Sequence, residues 1–207
     1  MIHLKMKKVP LKFYLCEDVV QVSRDLLGKV LCTKIDSQVT KAIITETEAY
    51  AGITDKASHA YGGKRTKRTE PIFAHGGTAY IYLCYGIHHL FNVVTNEAEI
   101  PHAVLIRAGV PLDGFDLMRK RRKRSQLDKT LLAGPGSLAQ ALGITTDLTG
   151  TSLLENRIWI EDHNLIVDKE EILAGPRIGI DYADEDAARP YRFVIDQGPL
   201  FTDSAYG

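Results

Sequence analysis

Long apolar runs, paired cysteines and an excess of charge of either sign are all missing from this sequence. No stretch is apolar enough, for long enough, to span a membrane. The basic N-terminal segment MIHLKMKKVP has no apolar signal core. The three cysteines, Cys16, Cys32 and Cys84, are odd in number and contain no CxxC pair. Cys32 and Cys84 sit inside apolar strand-like runs, so they read as small buried hydrophobes in a reducing compartment. HExxH is missing, as is any Cys/His cluster, and the adjacent His88 and His89 would face opposite ways in a strand, so a metal site is not expected. No GxGxxG follows a strand, which argues against a Rossmann unit. No GxSxG elbow and no recognisable Cys–His pair support covalent catalysis.

The charges cancel, with 26 Lys and Arg against 26 Asp and Glu, so bulk charge does not announce a nucleic-acid binder. Their distribution says more. Lys64, Arg65, Lys67 and Arg68 cluster, and Arg119 to Arg124 is an unbroken basic run. Acids gather at Glu161–Asp162, Asp168–Glu171 and Asp181–Asp186. A neutral protein with segregated charge can present one basic face. The run at Arg119–Arg124 reads equally as a solvated helix face or as a nucleic-acid patch.

At 207 residues the chain fits one domain spanning 1–207, with a sizeable core. Apolar spacing predicts a short helix from Glu17 to Leu27, stopped by Gly28. Strands are expected at Lys29–Ile35 and Lys41–Tyr50, joined through Asp36-Ser37-Gln38. Gly52–Gly77 is polar loop or short helix, and a long loop in a compact domain is often functional. Further strands are expected at Thr78–Tyr85, Leu90–Thr95 and His102–Ala108. Pro111 and Asp113 should open a helix running into the basic stretch. Gly134-Pro135-Gly136 breaks the chain before a short helix at Ser137–Leu142. Late strands are expected at Arg157–Glu161, near Ile178 and at Tyr191–Asp196. The order predicts an α+β fold with an antiparallel or mixed sheet.

Alternate residues of a strand share a face. Glu46, Glu48 and Tyr50 therefore point one way, and Tyr80 and Tyr82 share a face. If these faces meet in one cleft, a carboxylate sits beside phenol rings, able to deprotonate a water or stabilise developing positive charge. Periodicity leaves Glu46 and Glu48 as equal candidates. Asn92 and Arg107 lie within apolar strands, where an amide needs partners and an arginine needs a counter-charge. Glu48 is the expected partner of Arg107.

The strings ITETEAYAG (with His59 and Gly62-Gly63 after it), GTAYIYLCYG with Asn92, and VLIRA closely resemble the alkyladenine (3-methyladenine) DNA glycosylase family. LAGPGSLAQALGI, PRIGI and RPYRFVI continue the likeness, which covers roughly Phe13 to Ile195. Eukaryotic members carry an N-terminal extension that this chain lacks, so it resembles a bacterial-type member. The resemblance implies a curved sheet with surrounding helices and a protruding β-hairpin. It implies excision of damaged purines such as 3-methyladenine, 7-methylguanine and hypoxanthine, flipped out of double-stranded DNA into a pocket.

The resemblance also assigns roles. Tyr85 is the wedge at the hairpin tip, filling the space that the base leaves. Tyr50 and His59 line one side of the flipped base and Tyr82 the other. Glu48 is the general base for a water attacking C1′. Arg107 holds that water, with the backbone carbonyl of Ile178 as a further contributor, and Asn92 crowds the purine 2-position against undamaged guanine. Ile87, His88, His89 and Leu90 vary, which bears on substrate range. No cofactor or metal is implied. The expected protein is a monofunctional, cytoplasmic, nucleoid-associated monomer that makes no membrane contact and leaves an abasic site. The basic clusters become candidate phosphate contacts. Two other readings remain: a nucleoside hydrolase with the same acid and cage, and a non-catalytic nucleic-acid-binding module.

Overall fold

The computed structural model describes residues 7–126 and 128–196. The first six residues of the basic N-terminal segment lie outside them. The sheet is built from β1 (Lys7–Lys8), β2 (Val30–Ile35), β3 (Gln38–Tyr50), β4 (Ala79–Cys84), β5 (His88–Thr95), β6 (His102–Asp113), β7 (Ile158–Asp162), β8 (Leu173–Gly175) and β9 (Arg192–Val194). Their order is β1-β7-β2-β3-β6-β5-β4. The edge of β3 that pairs with β2 goes on to pair with β9, which in turn carries β8. Every strand pair among the described residues is antiparallel, which decides between the antiparallel and mixed alternatives.

The helices are α1 (Leu11–Tyr14), α2 (Val19–Asp25), α3 (Phe115–Arg122) and α4 (Pro135–Leu142). Asp18 caps α2 by accepting from the backbone N–H groups of Val20 and Gln21 at 2.9 and 3.0 Å. This is why the helix begins after Glu17: the cap satisfies N–H groups that have no partner inside the helix. Gly28 follows with φ +78°, as its stop role requires. Leu138, Ala139, Ala141 and Leu142 of α4 are buried with Ile81, Phe91, Val93, Val104 and Ile106 of the sheet. The helices thus cover one face of the sheet and leave the alternate residues of β3 to β6 for the other.

The turn between β2 and β3 is the two-residue pair Asp36-Ser37, both at positive φ, with Gln38 already paired to Ile35. That geometry matches the twist of the strands it joins. Along β3 and β6 the register shifts between Ile44 and Glu46 and again between Glu46 and Thr47. Such irregularities bend a sheet, and here they fall beside the carboxylates.

Two expected elements differ. Pro111 and Asp113 do not open a helix: β6 runs through them to Asp113, and α3 starts at Phe115 after Gly114 at φ +81°. Pro111 lies beside the register shift at Lys41/Ala42, the kind of place that tolerates a missing N–H. No strand forms at Ile178; the short β8 lies upstream at Leu173–Gly175. Gly52–Gly77 folds into three short 3-10 turns.

Candidate active site

Strand alternation gathers the site. Tyr50 of β3, Tyr80 and Tyr82 of β4, Asn92 of β5, and Leu105 and Arg107 of β6 line one cleft of about 520 Å³. His59 and Arg68 from the 3-10 region, and Ile178 to Ile180, close its sides.

Behind the lining residues Tyr50, Arg107 and Ile178 lies Glu48, whose side chain has no exposed surface. One carboxylate oxygen, Oε2, accepts from the Tyr50 hydroxyl at 2.8 Å, and Oε1 accepts from the backbone N–H of Ile178 at 2.8 Å. Arg107 Nη1 stands 3.3 Å from the same Oε1. The contact of Ile178 with the acid is therefore its N–H. Glu46 is also on this face. Its Oε1 accepts from Arg107 Nε at 2.8 Å and from Arg192 Nε at 2.6 Å. Arg107 therefore has Glu48 as the expected carboxylate partner and Glu46 as a second, closer one. Glu46 lies opposite Ala108 whereas Glu48 lies opposite Leu105, so the guanidinium sits between them and makes its shorter bond to Glu46.

The aromatic cage forms above. Tyr80 and Tyr82 lie with centroids 5.6 Å apart, tilted by 32°. His59 meets Tyr82 edge-on at 4.6 Å, and its Nδ1 is 2.9 Å from the Tyr80 hydroxyl. His59 and Tyr82, expected on opposite sides of a base, thus touch edge to face. Tyr80 was legible as a neighbour of Tyr82 on one face, but its bond to His59 was not. Asn92 is held by Nδ2 donating to the carbonyls of Tyr80 and Leu90 at 3.2 and 3.3 Å.

Burial dominates the electrostatics of this cage. It pushes the Tyr50 phenol well up, helped by the neighbouring Glu48 charge. It pushes Tyr80 up to about 12, against the opposing influence of Arg68. Burial, with Arg68 and Lys64 nearby, pulls His59 down to about 4. His59 therefore stays neutral in the folded protein at neutral pH. An unfolded histidine binds its proton near pH 6.5, so between about 6.5 and 4 the unfolded chain takes up the proton first and stability falls as pH falls. Melting temperatures taken across that window should drop less steeply in His59→Gln than in the wild type; parallel curves would refute the assignment.

Arg177 was not singled out from the sequence. It is buried, donates to the Ala49 carbonyl and to both oxygens of Asp55, and lies 4.8 Å from the Tyr50 ring. Asp55 also accepts from the N–H groups of Ala51 and Ala57. Burial pushes the Asp55 carboxyl up, but the Arg177 pairing and these bonds hold it below the ordinary range. Arg177 thus ties the segment carrying His59, and its own neighbour Ile178, to β3. The argument that flagged Arg107, an arginine amid apolar residues, applies equally to Arg177 within PRIGI.

Tyr85 stands at the tip of the β4–β5 hairpin, 91% exposed, on the rim of the same cleft. Its φ is +51° and that of Gly86 is +73°, with Ile87 N–H closing the turn onto the Cys84 carbonyl at 3.1 Å. A bulky residue in the left-handed region is unusual and costs conformational energy.

The basic clusters divide. Arg65 is engaged by Glu70 and Glu99, whereas Lys64, Lys67 and Arg68 have no ion pair among the described residues. In the run at Arg119–Arg124, Arg119 pairs with Asp116. Arg121 donates to the Ala141 carbonyl, and Arg122 to the Leu131 carbonyl and the Gln140 side chain. Much of that run fastens α3 to α4, which favours the structural reading for Arg121 and Arg122.

Residues 12–199 match the family model described as methylpurine-DNA glycosylase. The chain belongs to the methylpurine-DNA glycosylase family. Curated relatives extend the match over nearly full length. A Chlamydia abortus protein is 46% identical over 188 residues, covering 90% of this chain and 97% of its own. A Desulfitobacterium hafniense protein is 43% identical, covering 92% and 96%, and one from Bacillus cytotoxicus is 42% identical, covering 94% and 99%. Each is named "Putative 3-methyladenine DNA glycosylase". Membership makes this chain a DNA glycosylase, a hydrolase of N-glycosyl bonds acting in DNA repair. No helix among the described residues is long and apolar enough to cross a membrane.

Proposed function

We propose that this chain initiates base excision repair by releasing alkylated or deaminated purines, 3-methyladenine, 7-methylguanine and hypoxanthine among them, from double-stranded DNA. Tyr85 enters the duplex as the nucleotide swings out. The base lodges against Tyr50, His59 and Tyr82, where each stacking contact contributes about 1–3 kcal/mol and a cationic purine gains further from the ring faces. Asn92 disfavours undamaged guanine by crowding.

Glu48 takes a proton from a water whose oxygen attacks C1′. The C1′–N bond breaks and its electron pair leaves with the base: a cationic alkylpurine departs neutral, and hypoxanthine departs as the anion and takes a proton from solvent. Arg107 holds the water. The carboxylate is shielded by Tyr50, Arg107 and the Ile178 turn, so water reaches it where one of these gives way. The products are a free base and an abasic site with the strand uncut, and these steps call for no metal or cofactor. The enzyme works as a monomer on DNA in the cytoplasm. Lys64 and Lys67, and Arg68 where it lies over the Tyr82 ring at the cleft, contact phosphates.

The observation that carries this reading is the exposed Tyr85 on a left-handed turn, beside a cleft whose lining residues Tyr50 and Ile178 are bonded to a buried carboxylate. A nucleoside hydrolase has no use for such a wedge. The test compares a hypoxanthine-containing duplex with free inosine. Base release from the duplex alone is the expected result. Equal turnover of inosine would favour the nucleoside hydrolase, and tight lesion binding without alkali-labile sites would favour a non-catalytic binding module.

A further inference from the structure

Glu46 has no part in the chemistry above, yet it pairs with two arginines where Glu48 pairs with one. Its side chain is 14% exposed, and one oxygen accepts from two guanidinium Nε atoms, of Arg107 at 2.8 Å and of Arg192 at 2.6 Å. Strand β9 pairs with β3 across Glu46, Thr47 and Glu48, which puts Arg192 beside the acid. Glu48 is 3.3 Å from Arg107 Nη1, a looser approach than the Glu46 bond.

We propose that Glu46 is a positioning residue for base release, which holds the Arg107 guanidinium by its Nε and so keeps it from closing onto Glu48. This rests on the reading of Glu48 as the general base. A guanidinium and a carboxylate left alone favour a parallel, two-bond embrace. Glu48 already accepts from Tyr50 on one oxygen and from Ile178 on the other. A second arginine bond would occupy the lone pairs that a water needs.

The charge balance points the same way. Facing Glu46 are Arg107 from β6 and Arg192 from β9. Facing Glu48 are Arg107 from β6, Tyr50 from its own strand, and, acting through space, Arg177 and Tyr82. Arg192 lies opposite Glu48 in the sheet register while its side chain is bonded to Glu46. With Glu46 present, two acids balance Arg107 and Arg192. Without it, Arg107 is free to close onto Glu48.

The test is a double-mutant cycle of Glu46→Gln and Arg107→Gln, read as single-turnover base release on a hypoxanthine duplex, with Glu48→Gln alongside. Glu46→Gln should slow release by about 10- to 100-fold, with lesion-duplex Kd changed by less than about twofold. In the Arg107→Gln background, adding Glu46→Gln should cost less than about twofold. Wild-type rates in Glu46→Gln, or losses that simply multiply, would overturn the proposal. Retained activity in Glu48→Gln would instead sink the general-base reading, a distinguishable failure. If Glu46→Gln does not fold, NMR of the Arg107 Nε–H in Glu48→Gln decides. A hydrogen-bonded, slowly exchanging signal that persists there supports Glu46 as its holder, and its loss overturns that role.

Discussion

Replacing Glu48 by Gln should lower the rate of base release by about 10²–10⁴-fold, the usual contribution of a positioned general base. Lesion-duplex binding should survive, because the cage of Tyr50, His59 and Tyr82 does not depend on the negative charge. The substitution is nearly isosteric, but an amide cannot accept at both ends. Either the Tyr50 hydroxyl or the Ile178 N–H, each now bonded to Glu48 at 2.8 Å, loses its acceptor. An unsatisfied buried donor costs about 1–3 kcal/mol, so a lower melting temperature should accompany the loss of rate. Arg107 keeps its Glu46 partner and is not left as a bare buried charge. Single-turnover assays scored for alkali-labile sites, together with binding by anisotropy, separate the two effects. A variant that releases base at the wild-type rate would remove Glu48 from the mechanism.

Changing Tyr85 to Asn should make the protein more stable and less active at once. Tyr85 occupies a left-handed turn at φ +51° ahead of Gly86 at φ +73°. An Asn-Gly pair is strongly preferred in such a turn. Left-handed backbone costs an ordinary residue roughly 1–2 kcal/mol, and Asn bears least of that, so about 1 kcal/mol should be recovered. For a chain of this size that is about 2–4 °C in melting temperature. Packing loses little, since Tyr85 is 91% exposed. The duplex loses its plug. A stacking contact worth about 1–3 kcal/mol converts to roughly 5- to 150-fold in rate. The deficit should shrink on a substrate whose lesion is unpaired, where less unstacking is needed. Full activity on a paired lesion would show that the exposed tyrosine is not the wedge.

The two substitutions bracket what was readable from the chain. Alternation placed Glu46, Glu48 and Tyr50 on one face, and Tyr80 with Tyr82 on another; Tyr50, Tyr80 and Tyr82 line the cleft, and Glu48 is bonded to Tyr50 behind its wall. It did so because a strand offers only two directions for a side chain. Family resemblance chose Glu48 over Glu46 as the base, which periodicity left open. Helix α2, the β2–β3 turn and the stop at Gly28 were legible because caps and turns are written in neighbouring residues.

What misled was long-range. Pro111 suggested a helix start because proline suits the first turn of a helix, but the register shift between β3 and β6 lets it stay in a strand. The run at Arg119–Arg124 looked uniform, yet Arg121 and Arg122 are bound to carbonyls of a segment that the chain reaches only later.

By itself the sequence determined the α+β class, the strand faces, the family and the set of acids and aromatics from which a site could be made. Tertiary structure decided which of them touch. It put Arg107 between two carboxylates with its shorter bond to Glu46, brought Arg192 in on β9, and closed His59 onto Tyr82. It also buried Arg177 behind Tyr50. The reason is physical: strand and turn preferences depend on residues a few positions apart, whereas hydrogen bonds of a buried charge depend on segments separated by most of the chain.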